Sequence, residues 1–490
     1  MHINIRVFLK ILGILTLIEG VSMLLCIVAA VYYKEWQTAS ALFSVSLVCI
    51  CVGSVLQLLL HFDKLRLKAH EGFFFAFISW LYCSIIGSLP FYFSGQGYSL
   101  ASSFFEAVAG FSTTGCSVFN LDTMPHGLIL WRAVSNWLGG MGILVLLVSI
   151  FPALGISGQS IAIAETTGPT LEKVGAKFSD TGKILYLTYL TFTVVEFILL
   201  LISPLSFFDA LVNTFTSVST GGLIVTAKNA TIFEMQYVRA VILVFTLLSS
   251  MNYTLYYFML NGNFKAFFHN IEIRAFGLII GIAAILISIS LKWTETYSSL
   301  WQAFKDSLCQ VVAFISTSGY YVCDYTQWPT FAIVILFTLL FIGGCCMSTS
   351  GSLNVIRIIV LLKLVKRGIF KQIHPNSVKA VVIDGKAVSA EKVSAITTHI
   401  ILFFAVFFFS CVVLSLNNFD METTISTTIG LFSNTGMALG VPGTSGYFGM
   451  FNSFSQIYMA FLMIAGRLEI YAVLLLFSKT FWRIDRVRSV

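Results

Sequence analysis

The sequence predicts an all-α polytopic membrane protein. Four tandem repeats, each a helix, a half-helix and a second helix, follow an N-terminal two-helix unit. Three observations predict it. Of 490 residues, 57% are hydrophobic and only 10% charged, with a mean hydropathy of +0.90. Soluble domains carry about 25% charged residues, so an ordinary soluble enzyme, a disordered chain and a reader of nucleic acid through a basic surface are excluded. Second, the apolar residues form continuous runs of about 20, the length a helix needs to cross a bilayer core, not the period-two alternation of a membrane barrel. Third, one short polar string recurs four times between such runs.

The first apolar run follows Arg6 and Lys10 and reaches Ala30. It is longer than the apolar stretch of a secretory leader, so it is read as a retained helix over 7–33, paired with a helix over 39–61. The repeats follow over about 72–153, 183–262, 273–370 and 393–480, giving ten spanning helices and four half-helices. The corresponding units are 1–65 for the N-terminal hairpin, then 66–155, 156–265, 266–375 and 376–490 for the four repeats. Of ten cysteines, eight (Cys26, Cys49, Cys51, Cys83, Cys309, Cys345, Cys346 and Cys411) fall in apolar runs, and no C-x-x-C occurs. They read as small buried hydrophobes rather than disulfides or zinc ligands.

Charge sets the orientation. Of 29 Lys and Arg, 22 fall in segments assigned to one face, which the positive-inside rule makes cytoplasmic, with both termini on that side. Lys34, Arg132, Lys228, Arg239, Lys292 and Lys305 are assigned to the outer side, where acids outnumber them and raise the local cation concentration. Arg467, Glu19, Glu196 and Glu469 are placed inside the membrane. The polar connections near 154–182 and 363–392 are cytoplasmic. The second holds seven Lys/Arg around His374-Pro375 and Asp384-Gly385, and reads either as ordinary inner-face charge or as docking surface for a partner.

The recurring string is S-[TN]-x-G. Its copies are Ser112-Thr113-Thr114-Gly115, Ser219-Thr220-Gly221-Gly222, Ser316-Thr317-Ser318-Gly319 and Ser433-Asn434-Thr435-Gly436, with glycines 107, 97 and 117 residues apart. Gly222 is chosen over Gly221 as the terminal glycine because it puts Ser219 and Thr220 in register with the other copies. Thirteen positions before each glycine stand Ser102, Asp209, Asp306 and Thr423, all of helix N-cap type. From cap to string is about ten mostly apolar or small residues, about 15 Å of helix or half a bilayer. Non-helical backbone at that depth is tolerated only where it is buried in protein or lines a water-filled cavity. Four copies therefore imply four extended strings around one axis, with the negative ends of four half-helices aimed at it. Backbone carbonyls so arranged replace the hydration shell of a cation.

These strings resemble the four pore loops of the TrkH/KtrB/HKT superfamily of potassium transporters, most closely the bacterial TrkH branch. The resemblance extends to Phe104-Phe105-Glu106, to Asn136-Trp137-Leu138-Gly139-Gly140-Met141-Gly142, to Phe341-Ile342-Gly343-Gly344-Cys345 with Arg357 downstream, and to Gly466-Arg467-Leu468-Glu469. It implies four M1–P–M2 repeats and potassium, the transported ion, held at the string residues, with no organic cofactor in this chain. It also implies a multi-pass protein in the lipid of a bacterial inner membrane, and a homodimer on a cytosolic ring of nucleotide-binding regulatory subunits. By the same resemblance, a serine at the first filter glycine accompanies sodium transport in some plant relatives. Here all four positions are glycine, which favours potassium.

In the family pattern the third repeat's second helix is broken by a glycine-rich loop that lies under the filter as a gate. Here that segment is Gly343-Gly344-Cys345-Cys346-Met347-Ser348-Thr349-Ser350-Gly351-Ser352-Leu353-Asn354. Met347, Ser350 and Ser352 stand where the pattern has glycine, and Asn354 where it has lysine. The reading is still a broken helix, with Met347 as an apolar plug and the serines stiffening the backbone. Arg467 lies in the apolar run 457–477. A charge at that depth costs about 2.5–3.5 kcal/mol or more, so Arg467 is read as facing the passage, held aside by Ser348, Thr349 or Asn354. The alternative is a structural salt bridge. Glu469, two residues on, cannot share its helix face and is assigned to another helix.

Three functions compete. Motifs for nucleotide or acyl hydrolysis are absent from the sequence, so no enzyme is expected. A symporter coupled to H⁺ or Na⁺ would use Glu19 and Glu196 as relays, although broken transporter helices usually come as an inverted pair. A silent scaffold or sensor derived from the family is the third.

Overall fold

Helices α1 (Ile5–Tyr32) and α2 (Trp36–Leu59) form the N-terminal hairpin. They approach closely because Gly20 and Gly53 face the partner helix: a Cβ on Gly20 would lie 2.9 Å from Cys49 Cβ, and one on Gly53 2.6 Å from Leu17 Cγ. The turn between them carries Glu35. Its carboxylate accepts the backbone N–H groups of His126 (2.7 Å) and Gly127 (3.0 Å), the first two residues of the helix His126–Gly140. The hairpin thus caps a helix of the first repeat. The computed structural model describes residues 5–60, 65–66, 69–140, 142, 156–157, 178–223, 232–377, 380–443, 446–468, 470 and 473–474.

The repeats follow in order. The first is α3 (Ala69–Phe93), the half-helix α4 (Leu100–Phe111) and α5 (His126–Gly140). The second is α6 (Phe178–Leu201), the half-helix α7 (Phe207–Val218) and α8 (Gln236–Ser249), continued by α9 (Tyr253–Leu260). A short α10 (Phe264–His269) leads into the third: α11 (Ile271–Trp293), the half-helix α12 (Leu300–Ile315), α13 (Thr330–Ile342) and α14 (Val355–Ile373). The fourth is α15 (Ala390–Leu414), the half-helix α16 (Met421–Phe432) and α17 (Ser453–Arg467). Between α14 and α15 a hairpin pairs Val382–Ile383 with Lys386–Ala387 around Asp384-Gly385. Among the described residues, α1, α2, α3, α6, α11 and α15 are long and apolar enough to cross a membrane, and large apolar side chains such as Leu278, Ile282, Ile285 and Ile289 of α11 stay on the outside. The chain is a multi-pass, all-helical membrane protein.

One of the expected straight spans differs. The third repeat's second helix is broken over 343–354, as the sequence predicts. The second repeat's is also broken: α8 and α9 meet at 94° across Ser250–Asn252. Asn252 caps α9 by accepting the Thr254 N–H. The carbonyls freed at the end of α8 find donors in the third repeat, since Cys345 N–H reaches Ser250 O (2.9 Å) and Thr349 N–H reaches Ser249 O (3.3 Å), while Tyr253 N–H donates to Met347 O (3.1 Å). Each break satisfies the other, as backbone inside a membrane must be satisfied.

The half-helix caps are also corrected. Ser102, Asp209 and Thr423 are not N-caps. They sit three residues inside and give their N–H groups to the true caps, Ser99, Ser206 and Asp420. The third half-helix starts one turn earlier, after Ser299, whose side chain makes no cap bond, and Asp306 instead pairs with Arg239 at 3.0 Å. A lost serine cap costs about 1 kcal/mol. Ser206→Ala is therefore expected to lower the thermal midpoint of the detergent-solubilised protein, whereas Ser299→Ala leaves it in place. Equal shifts in the two would contradict the cap assignment.

Candidate functional site

Each half-helix ends on the serine of its string: Ser112, Ser219, Ser316 and Ser433 are the C-caps. The strings do not continue extended from there. The second residue is left-handed in all four, with φ of 56° at Thr113, 52° at Thr220, 59° at Thr317 and 58° at Asn434. In three repeats the next N–H reaches back five residues: Thr114 to Ala109 O, Gly221 to Thr216 O and Thr435 to Gly430 O, each 2.9 Å. This closure ordinarily uses glycine at the left-handed position. An L-residue there costs about 1–2 kcal/mol. In three of the four repeats a side-chain hydrogen bond helps offset it. Thr220 Oγ1 donates to Thr349 Oγ1 (3.1 Å), Thr317 Oγ1 accepts from Gly351 N–H (2.9 Å), and Asn434 Nδ2 donates to Met463 O (2.9 Å).

The glycines follow as a ring. A Cβ on Gly115 would land on the Gly222 carbonyl oxygen, one on Gly222 on Ser318 O, and one on Gly319 on Thr435 O. One on Gly436 would lie 2.5 Å from Cys116 N and 2.6 Å from Gly115 N. The strings therefore meet in chain order and close, the fourth against the first, and every string residue is buried. Outside the ring, Ser117 pairs with the segment after the fourth string, its N–H donating to Gly446 O (3.0 Å) and its carbonyl accepting Phe448 N–H (2.8 Å). Gly139 and Gly466 let α5 and α17 press on the last turns of the half-helices, where a Cβ would strike Phe111 O and Phe432 O respectively.

The Cys345–Gly351 loop lies against this assembly. Thr349 Oγ1 donates to Ser249 O (3.0 Å) and accepts from Thr220, Gly351 N–H goes to Thr317, and a Cβ on Gly351 would meet Ser433 O. The loop thus touches three of the four strings. Its far side is tied down by Glu272 at the start of α11, whose Oε1 accepts Cys346 N–H (2.8 Å) and Ile356 N–H (3.2 Å). Ser348 Oγ donates to Cys345 O (2.6 Å) and bonds Ser350 Oγ (2.6 Å). Met347 (φ 58°), Ser352 (φ 68°) and Asn354 (φ 69°) are left-handed like Gly343, so two of the residues that stand for glycines keep the glycine conformation. Met347 is partly buried and packs against the cluster of Leu185, Tyr189, Val218, Tyr253 and Tyr256.

Arg467 forks between elements. Nη1 donates to Thr349 O (2.6 Å), and Nη2 to Gly139 O (2.7 Å) and Gly140 O (2.6 Å). Thr349 does hold it, through the backbone rather than the hydroxyl. Glu469 lies outside the described residues. Of the expected relay acids, Glu196 is buried in α6 and accepts the Ser217 hydroxyl of the second half-helix. Glu19 is buried in α1 beside Cys49, Tyr82 and Cys83. The fold does not bring the two together.

Sequence reasoning missed a buried ion pair. Arg132 is not an outer-surface residue: it is fully buried, with Nε 2.9 Å from Glu106 Oε1. Glu106 Oε2 accepts Ser117 Oγ (2.8 Å) and Val118 N–H (3.1 Å). The signal was present. Nine residues before the four glycines stand Glu106, Asn213, Gln310 and Thr427, a polar residue at the same position of each half-helix, and all four are buried.

The comparisons with known proteins agree with one another. Residues 38–484 match the TrkH family, described as cation transport proteins. The chain is 30% identical over 484 residues to the Trk system potassium uptake protein TrkH of Escherichia coli K12, covering 98% of this chain and all of that one. It is 30% identical over 487 residues to TrkH of Halomonas elongata, with the same coverage. The crystal structure of the potassium transporter TrkH from Vibrio parahaemolyticus superposes with a TM-score of 0.87 at 28% identity, over 98% of this chain and all of that one. With the family match spanning nearly the whole chain, the protein is a member of the TrkH family of cation transport proteins.

Proposed function

We propose that the protein takes up potassium across a bacterial inner membrane through the ring of four strings, which acts as a carbonyl-lined filter above a gate formed by Cys345, Cys346, Met347, Ser348, Thr349, Ser350 and Gly351 with Arg467. The observation that carries this reading is the closed ring of Gly115, Gly222, Gly319 and Gly436, each packed on the next string's backbone. Backbone oxygens with no room for a side chain suit a dehydrated monovalent cation. That the similar proteins of Escherichia coli and Halomonas elongata are potassium uptake proteins supports potassium as the cargo. The five-unit division of the chain, with the N-terminal hairpin as an added unit, belongs to the same reading.

The partners are a second copy of the chain and a cytosolic nucleotide-binding ring. Supporting the ring are the exposed Lys366, Arg367, Lys371, Lys386 and Lys392 and a cavity of about 320 Å³ between the loop and the hairpin, lined by Cys346, Met347, Glu272, Asp384, Lys386 and Lys392. H⁺-coupled symport is favoured by one feature, the Glu196 carboxylate bonded directly to the second half-helix. Rb⁺ uptake into proteoliposomes, with and without a protonophore, separates the two. Channel-like uptake persists with the protonophore and is competed by K⁺ more than by Na⁺. Collapse with the protonophore selects the symporter, and absence of Rb⁺ flux with or without cytosolic extract rejects potassium uptake.

A further inference from the structure

The ring has four quarters, and one is built differently. In the third position of the strings, the Gly221 and Ser318 carbonyl oxygens lie 3.1 Å from a Cβ on Gly115, and Thr435 O is the atom a Cβ on Gly319 would strike. These three carbonyls are turned toward the neighbouring strings' glycines. Thr114 O, their counterpart in the first repeat, instead accepts Arg132 Nη2 at 2.7 Å, and Cys116 O accepts the same nitrogen at 3.2 Å. Arg132 Nη1 donates to Asn136 Oδ1, and a Cβ on Gly221 would lie 2.8 Å from Asn136 Cγ. One guanidinium therefore holds two carbonyls of the first string and steadies the amide that backs the second.

We infer, resting on the potassium-pathway reading, that Arg132 is a positioning residue for ion discrimination. By clamping the Thr114 and Cys116 carbonyls it fixes the shape of the first-repeat quarter of the ring, and Glu106 cancels its charge so that the clamp does not repel the cation. The residue type fits the task. A guanidinium offers five N–H donors in a fixed fork, and each of its three nitrogens is engaged here; an ammonium is a point charge that cannot reach carboxylate, amide and two carbonyls together. The charge balance fits as well. The equivalents of Glu106 in the other half-helices, Asn213, Gln310 and Thr427, are neutral. At this position a carboxylate stands only in the first repeat, where it pairs with Arg132.

The test is Rb⁺ uptake into proteoliposomes competed by K⁺ and by Na⁺, read as a selectivity ratio alongside the rate, for Arg132→Lys, Arg132→Gln and the neutral double variant Glu106→Gln/Arg132→Gln. Insertion is checked by size-exclusion chromatography. A residue that only supports the fold changes the amount of active protein and its rate, not the ratio. The expected result is a drop in the K⁺/Na⁺ ratio of about tenfold in Arg132→Gln and in the double variant, and a smaller drop in Arg132→Lys, which keeps the charge but not the fork. A ratio within twofold of the unaltered protein in these variants overturns the inference. Should the neutral variants fail to insert, Arg132→Lys alone decides by the same criterion. Gly115→Ser is run in parallel. If the unaltered protein is selective and Gly115→Ser shifts its ratio while Arg132→Lys does not, this inference fails and the pathway reading stands. If the unaltered protein shows no preference for K⁺, the pathway reading itself fails.

Discussion

Serine at Gly115 is expected to narrow the preference for K⁺ over Na⁺ about tenfold while uptake continues, whereas serine at Gly222, Gly319 or Gly436 abolishes uptake. The difference follows from the backbone. Gly222, Gly319 and Gly436 have φ of 33°, 69° and 78°, where an L-residue is strained by about 1–2 kcal/mol, and their added Cβ atoms would collide with backbone of the next string. Gly115 is outside that region of φ, so its new side chain meets crowding without torsional strain. The Gly222 carbonyl it displaces belongs to the ring, and a tenfold change needs only about 1.4 kcal/mol of relative ion affinity. Rb⁺ uptake competed by Na⁺ measures it. Unaltered competition at all four positions would remove the strings from the ion path.

Arg467→Ala is expected to raise uptake at least tenfold in the absence of any partner protein, with the ion preference unchanged. The guanidinium ties Thr349 of the loop to Gly139 and Gly140 of α5, and hydrogen bonds to charged groups contribute about 1.5–3 kcal/mol each. Losing even one shifts a closed-to-open equilibrium by about tenfold or more. The charge itself also leaves. Two unit charges about 4 Å apart at an effective dielectric constant of about 20 repel by about 4 kcal/mol, so a cation passing Arg467 meets a barrier that alanine lacks. Arg467→Lys should fall between the two. A fall in flux with Arg467→Ala, in protein that is folded and inserted, would make the residue a structural tie instead.

The parts of this architecture that repeat in sequence were legible. Four S-[TN]-x-G strings, each at the end of a half-helix, mark the ring because glycine at a crowded backbone contact leaves the same trace every time. The caps were read three residues late for a related reason. The N-cap and the third helical residue both favour small polar or acidic residues, and Ser102, Asp209 and Thr423 are the inner members of that pattern. What escaped was pairing over distance. Arg132 lies in the second turn of α5 and counts as flank charge until Glu106, twenty-six residues upstream, is seen behind it. The bend after Ser249 falls on the short polar stretch Ser249-Ser250-Met251-Asn252 inside a longer apolar run, and its partners are the backbone groups of Cys345, Met347 and Thr349, nearly a hundred residues on. Left-handed Thr220 and Thr317 escaped because the loop they touch stabilises that conformation, not their own preference.

The bend and the loop share their hydrogen bonds, and that arrangement has a consequence for how the passage opens. The bonds from Cys345 and Thr349 to the end of α8, from Tyr253 to Met347, from Gly351 to Thr317 and from Arg467 to Thr349 all converge on one span of seven loop residues. Moving any part of it breaks several of these bonds at once, and buried donors and acceptors are costly to leave unpaired. Partial displacement is thus the least favourable arrangement. On the proposed reading of the loop as a gate, the span is expected to leave or return as a body and to take the kink of the second repeat with it, coupling helices of two different repeats.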